Sequence, residues 1–249
     1  MDGWGLTALG LATLAGALVQ ATTGFGFAIL AAPVFLAVMN SKAAIPVLVA
    51  LHIVQSAMLA PKLWTKVSRW HLYRLAAGAA IGCPLGLLLL GYLDVRGLKL
   101  TLGVLILLAL VLFVVRGRMQ SAGLRHPQPE RGPLTAMTGL ASGALTSILV
   151  MPGPPLMAYL AGERWPRDAS RALSLTFFAG CYVLVFALAL AAGTVAVADW
   201  WLILVLAPAS LLGTLAGLRL APRISEAHFR QAILALMLLS GLGAIVSAL

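Results

Sequence analysis

From Gly3 to Ser41 the chain runs 39 residues without an Asp, Glu, Lys or Arg, and from Gly132 to Gly162 it runs another 31. A helix crosses the hydrocarbon of a bilayer with about 20 apolar residues. Each stretch is therefore too long for one crossing and too uncharged for a soluble surface. Six further charge-free runs follow the same pattern: 43–61, 75–93, 100–115, 172–198, 200–218 and 231–249. The sequence predicts an all-α polytopic membrane protein, and a 61% hydrophobic, 10% charged composition agrees. With each long run split in two, the apolar segments are roughly 4–21, 24–39, 43–60, 71–92 and 97–115, then 133–150, 153–162, 170–192, 199–218 and 230–248. If 4–39 and 133–162 are re-entrant hairpins, each half keeps three full crossings, so the total is eight to ten segments.

A net charge of +10 would point to nucleic acid in a soluble chain. Here the basic residues sit in short loops between apolar runs, where they orient the protein in the bilayer, and no nucleic-acid partner is expected. Cys83 and Cys181 lie inside apolar runs without metal-like or C-x-x-C spacing and read as buried packing thiols. No metal and no cofactor are expected. Only Met1 and Asp2 precede the first run, which lacks the positive leader of a cleaved signal peptide and is read as retained.

The two long runs head two related halves. Gly16-Ala17-Leu18 recurs as Gly143-Ala144-Leu145, and Gly26 recurs as Gly153, displaced by 127 residues. Trp70 then matches Trp201, Gly82 and Gly86 match Gly213 and Gly217, and Lys99 matches Arg230, displaced by 131. This gives a first membrane repeat at 1–115, a cytoplasmic linker at 116–132 with Pro127 and Pro129, and a second membrane repeat at 133–249. Five segments per repeat, an odd number, invert the second relative to the first. With the N-terminus outside, 14 of the 17 basic residues fall on the cytoplasmic side, leaving only Lys42, Arg96 and Lys99 outside.

Both long runs are interrupted at matched places. Gln20-Ala21-Thr22-Thr23-Gly24-Phe25-Gly26 puts polar side chains and glycines in the first, and Thr146-Ser147 followed by Met151-Pro152-Gly153-Pro154-Pro155 interrupts the second. Proline and glycine break helices, and a broken backbone at membrane depth must be buried in protein or line a wet cavity. Paired breaks point to a transporter's midplane site; the plainer alternative is a tight turn between helices. None of the seven carboxylates lies within an apolar run, which disfavours a cation site. An anion needs no carboxylate and is held by backbone N–H groups and by Gln, Thr and Ser. The expectation is that the breaks face each other near the midplane and bind an anion through free N–H groups. Gln20, Thr22, Thr23, Gly24, Gly26, Ser147 and Gly153 are the candidate residues.

His52 is the one ionisable side chain inside a spanning run, with Gln55 and Ser56 on its helical face. It is a candidate to pair with substrate or carry a coupling proton; the bland alternative is a neutral His bonded to a neighbouring helix. His71, His126 and His228 sit at loops or helix ends and are expected to be solvated. Glu163, Arg164, Arg167 and Asp168 read as a solvated loop. Arg171 begins the next apolar segment and is the candidate charge at the inner mouth.

The run Gln20 to Pro33, the following Ala43-Ala44-Ile45-Pro46, and the basic stretch before Trp70 resemble the first signature region of the sulfite exporter TauE/SafE family. Gly153-Pro154-Pro155-Leu156-Met157-Ala158-Tyr159-Leu160, with Trp165-Pro166 and Arg171-Ala172, resembles the second. The resemblance spans almost the whole chain, although Phe25, Phe27 and Ala28 stand in a stretch where many members carry more glycines. It implies a permease of the bacterial inner membrane for small sulfur-containing or organic anions, built from two related halves, and it places an arginine at Arg171.

The expected function is a secondary transporter moving a small anion by alternating access. An enzyme is disfavoured: Leu140-Ala141-Ser142-Gly143 lacks the glycine two residues before the serine, and no H-E-x-x-H is present. A non-transporting scaffold or assembly subunit is the alternative, since Gly82 with Gly86 and Gly213 with Gly217 suit helix association within one chain or in a homo-oligomer. The charge pattern predicts residues 61–70 and 116–131 in the cytoplasm. A single cysteine at position 123, in a background lacking Cys83 and Cys181, should resist an impermeant thiol reagent added to intact cells; labelling from outside would overturn the topology.

Overall fold

The computed structural model describes residues 3–119, 132–163, 165, 167–220 and 226–249. Residues 120–131, which hold most of the 116–132 linker with Arg125 and Arg131, lie outside the described residues, and the first four linker residues continue α5. Within them the chain forms ten α-helices and no strand: α1 Gly3–Thr23, α2 Phe27–Met39, α3 Ala44–Leu63, α4 Arg69–Tyr92 and α5 Val95–Met119, then α6 Gly132–Leu149, α7 Gly153–Gly162, α8 Arg167–Ala191, α9 Val197–Leu220 and α10 Glu226–Val246. A 3-10 turn, Trp64–Lys66, follows α3. The ten apolar segments and the ten helices correspond one to one. Helices α4, α5, α8, α9 and α10 begin two to four residues before their apolar limits, because a helix continues into the headgroup region where charged side chains stay solvated.

Among the described residues, four helices, α1, α4, α8 and α9, are long and apolar enough to cross a membrane. At 1.5 Å per residue, α2 with 13 residues and α7 with 10 reach only about 20 and 15 Å, short of a hydrocarbon core of about 30 Å. They are half-length helices that follow the breaks. Trp4, Tyr92 and Trp201 are exposed near the helix ends on one side and Trp64 and Tyr73 on the other, the two interfacial belts of a membrane protein. Between them Leu88, Leu108, Leu204 and Leu212 are exposed on outer helix faces, where lipid replaces water.

The principal contacts repeat when each helix is exchanged for the one five places on. Helix α4 packs on α6 as α9 packs on α1; α1 on α2 as α6 on α7; α3 on α9 as α8 on α4. Helices α3 with α8 and α5 with α10 pair with their own counterparts and so flank the pseudo-two-fold axis. Gly82 and Gly86 face Leu140 and Ala144, so α4 runs parallel to α6, and Gly213 and Gly217 face Leu14 and Leu18, so α1 runs parallel to α9. Helix α2 doubles back along α1, with Gly16 against Phe27 and Gly26 against Val19. Helix α3 runs with α1, since Gln55 meets Ala17 and Ser210, on α9, meets Leu51. After the short turn α4 runs opposite to α3 and hence to α1, so α6, the counterpart of α1, lies antiparallel to it.

Glycine makes the two parallel seams possible. A Cβ at Gly78 would fall 1.9 Å from the Ala136 carbonyl oxygen, one at Gly82 2.1 Å from that of Leu140, and one at Gly139 2.1 Å from that of Leu75. At Gly213 it would fall 2.3 Å from the Leu14 oxygen. Apolar side chains gain no hydrophobic free energy by leaving lipid, so helices associate through close backbone contact at small residues. Both repeated glycine pairs are used inside the chain. Two of the three basic residues assigned to the outer side also have a structural reason. Lys42 Nζ donates to the Leu90 and Gly91 carbonyls, 3.0 and 3.2 Å, and Lys99 Nζ to Asn40 Oδ1 and the Ser247 carbonyl, 3.0 and 3.3 Å. Each neutralises the negative C-terminal end of a helix.

Gly82→Ala should cost roughly 1–3 kcal/mol from overpacking, read as a lower thermal midpoint in detergent. Gly91→Ala, whose Cβ would meet nothing within 4 Å, should leave the midpoint unchanged. Equal midpoints for the two variants would overturn the tight seam.

Candidate functional site

Helices α1 and α6 both end where the backbone turns left-handed. Gly24 has φ +88° and Gly26 +113°, which glycine adopts without a Cβ clash, while Val150 holds φ +59°. A left-handed β-branched residue is strained by about 1–3 kcal/mol, and such strain clusters at functional sites.

The first break is closed by its own side chains. The Gln20 carbonyl accepts the Gly24 N–H at 2.8 Å. Thr23 Oγ accepts the Phe25 N–H at 3.2 Å and lies 2.8 Å from the Val19 carbonyl, to which it donates. Gln20 Oε1 reaches seven residues on to accept the Phe27 N–H at 3.3 Å, at the start of α2. Thr22 Oγ donates to the Val19 carbonyl, 2.8 Å. In the second break the Val150 N–H bonds the Thr146 carbonyl at 2.9 Å and the Met151 N–H that of Leu145 at 3.3 Å. Several N–H groups expected to await an anion are thus already taken, at Gly24, Phe25, Phe27, Val150 and Met151. The cause is local: the last carbonyls of α1 and α6 take three of these N–H groups, and the side chains of Thr23 and Gln20 take the other two.

The two breaks differ in the backbone donors they offer. Pro152, Pro154 and Pro155 carry no N–H, so α7 starts nearly stripped of donors. Helix α2 starts with Phe27, Ala28 and Ile29, each with an N–H at the positive end of the helix dipole. The first break also receives a cation. Arg171, on α8, donates through its guanidinium to the Ala21 carbonyl near the end of α1, and a Cβ at Gly24 would fall 3.0 Å from Arg171 Cγ. Gln20 Nε2 and Arg171 Nε are buried without a partner. Beside this break, a shallow crevice with room for about one water molecule lies between α1, α2 and α10, walled by Val19, Thr23, Phe25, Gly26, Ile29, Leu30, Leu236 and Met237. Neither Gln20 nor Arg171 lines it.

The remaining sequence candidates attach to this centre by packing. A Cβ at Gly153 would lie 3.9 Å from Phe25 Cβ and 4.0 Å from Phe178 Cζ, so the two breaks touch through Phe25. His52 is wholly buried between Phe27 and Tyr182, both rings 4.2 Å away centroid to centroid. Its Nδ1 lies 2.8 Å from the Leu48 carbonyl. A carbonyl only accepts, so Nδ1 carries the proton and Nε2, buried without a partner, presents a bare lone pair. Gln55 Nε2 donates to the Ala17 carbonyl at 2.9 Å, one turn from Gln20, and leaves Oε1 unpartnered. Ser147 sits apart and donates to the Cys83 carbonyl at 2.7 Å.

One expectation fails. His71 is not solvated: it is 4% exposed, with its ring against Trp70 and Trp165 at 4.6 and 4.7 Å and its Nδ1 2.8 Å from Ser68 Oγ. Trp165, between α7 and α8, covers His71 at the start of α4, and a helix-end position in sequence does not reveal such a cover. His126 and the side chain of His228 lie outside the described residues, as do the side chains of Arg164 and Arg167. Cys83 and Cys181 are buried and free, as expected. The sequence also missed Tyr182, Phe178 and Val150. The two rings sit in a uniformly apolar run that offers no signal, whereas Val150 is flagged by the Met151-Pro152-Gly153 that follows it.

No curated protein and no solved structure matches the chain. A family model described as Sulfite exporter TauE/SafE matches residues 8–244, a span that takes in both breaks, Arg171 and a part of every helix; the chain belongs to that family.

Proposed function

We propose that this membrane transporter is a secondary carrier of the bacterial inner membrane for one small anion: a sulfur oxyanion, or an organic sulfonate or carboxylate. In this account transport proceeds by alternating access between inverted repeats at 1–115 and 133–249, joined by the cytoplasmic linker 116–132. The observation that carries the proposal is Arg171 lying on the first break. A charge in a low-dielectric interior is tolerated only when paired and hydrogen-bonded. The break supplies a cation, the positive end of α2 and the buried, unpartnered Gln20 Nε2 within one locality. The cation comes from the second repeat and the helix end from the first, so relative movement of the two changes the site, as alternating access requires. The scaffold alternative draws no support from the repeated glycine pairs, which face helices of the same chain.

The anion-binding group comprises Gln20, Gly24, Gly26 and Arg171, with Thr22 and Thr23 shaping the turn and Gly153 keeping the approach of Phe25 open. Gln55 and Ser147 brace the two sides. A coupling proton is assigned to His52, whose bare Nε2 lies between α2 of one repeat and α8 of the other.

Arg171→Gln should weaken anion binding roughly 10- to 100-fold, the equivalent of the about 1.5–3 kcal/mol of a charge-assisted contact. Thermal stabilisation of purified protein by sulfite, sulfate, sulfonates and carboxylates measures this, with flux of the best binder in proteoliposomes. Wild-type affinity in a correctly folded Arg171→Gln protein would move the site elsewhere. His52→Gln should flatten the pH dependence of flux at unchanged expression; an unaltered profile would return His52 to a packing role.

A further inference from the structure

The side chain of Gln20 is tied to the first break in an unusual way. It is 1% exposed, its Oε1 accepts the Phe27 N–H at 3.3 Å, and its Nε2 is buried without a partner. An amide oxygen thus stands on the first N–H of α2, at the helix's positive end, where an anion's oxygen would be most strongly held. The bond is long for an N–H···O contact, whose usual length is about 2.9–3.0 Å, so little is lost when it breaks. The idle Nε2 donors have no acceptor in the absence of an anion.

We propose that Gln20 is a resident stand-in for the substrate: its Oε1 plugs the Phe27 N–H in the empty carrier, and an arriving oxyanion displaces that oxygen and takes up the Nε2 donors. This rests on the first break being the anion site and adds how that site stays satisfied when empty. An uncapped N–H in hydrocarbon is costly, and a permanent anionic cap would exclude substrate. A neutral amide meets both demands. It caps weakly through oxygen and, after rotation, donates through nitrogen to the ligand that replaces it. A carboxylate of the same size would cap α2 better and would compete with the anion.

The test compares wild type with Gln20→Glu, using sulfite in oxygen-free buffer and sulfate as probes. The apo thermal midpoint of Gln20→Glu should equal or exceed that of wild type, because a carboxylate suits a helix N-terminus. Anion affinity at pH 7.5 should fall at least tenfold and recover as acid protonates the new side chain. Equal affinity in Gln20→Glu and wild type would overturn the stand-in role while leaving the carrier proposal intact. No stabilisation of wild type by any anion would overturn both. A second readout uses wild-type protein alone, in case the variant does not insert. In protein labelled with 15N at glutamine side chains, the Gln20 amide resonance should move on titration with the bound anion and that of Gln55 should not. A stationary Gln20 resonance at saturating anion would overturn the proposal.

Discussion

Backbone groups cannot be left unbonded in a dry interior, and this chain ends two helices among buried residues. Everything at the centre of the molecule follows from how those ends are satisfied. Thr23, Gln20 and the carbonyl of Gln20 tie up the first break, and the carbonyls of Thr146 and Leu145 tie up the second. The guanidinium of Arg171 then meets the negative end of α1 at Ala21. One arginine thereby caps a helix C-terminus and sits beside a helix N-terminus, where its charge opposes the apparent positive charge of α2.

The two glycine seams give this centre its frame. Because α4 approaches α6, and α1 approaches α9, to within backbone contact, each of the strongest joints in the structure links the first half of the chain to the second. Within each half the breaks hang from these joints: α2 folds back from the end of α1, and α7 continues from the end of α6. The half-length helices therefore have rigid neighbours on one side and, at α2, an open crevice on the other. Movement is easiest where the packing is already incomplete.

Much of this was legible in the chain itself. Charge-free runs marked ten segments because a charged side chain within hydrocarbon is expensive, so loops announce themselves. Gly and Pro marked both breaks because they alter backbone geometry wherever they stand. The glycine pairs 82/86 and 213/217 showed the duplication, and the structure gives them equivalent work against α6 and α1. What could not be read depended on contacts made only in the fold, some between near neighbours and some between distant segments. Gln20 reaches across the break to Phe27, Phe25 fills the space beside Gly153, and Trp165 covers His71. The expected free amides at the breaks failed for the same reason. Composition shows that a helix stops, but only the fold shows what takes its hydrogen bonds.

The parallel seams also set an order of manufacture. Gly82 meets Leu140, whereas Leu14 must wait for Gly213, 199 positions further along the chain. At about 5–20 residues per second of synthesis, the α4–α6 joint closes roughly 3–12 s after α4 is made, while α1 stands without its mate for about 10–40 s. The first helix to enter the membrane thus waits longer than α4 for its partner in a glycine seam, and the contact of Arg171 with Ala21 at its end forms only once the eighth helix has arrived.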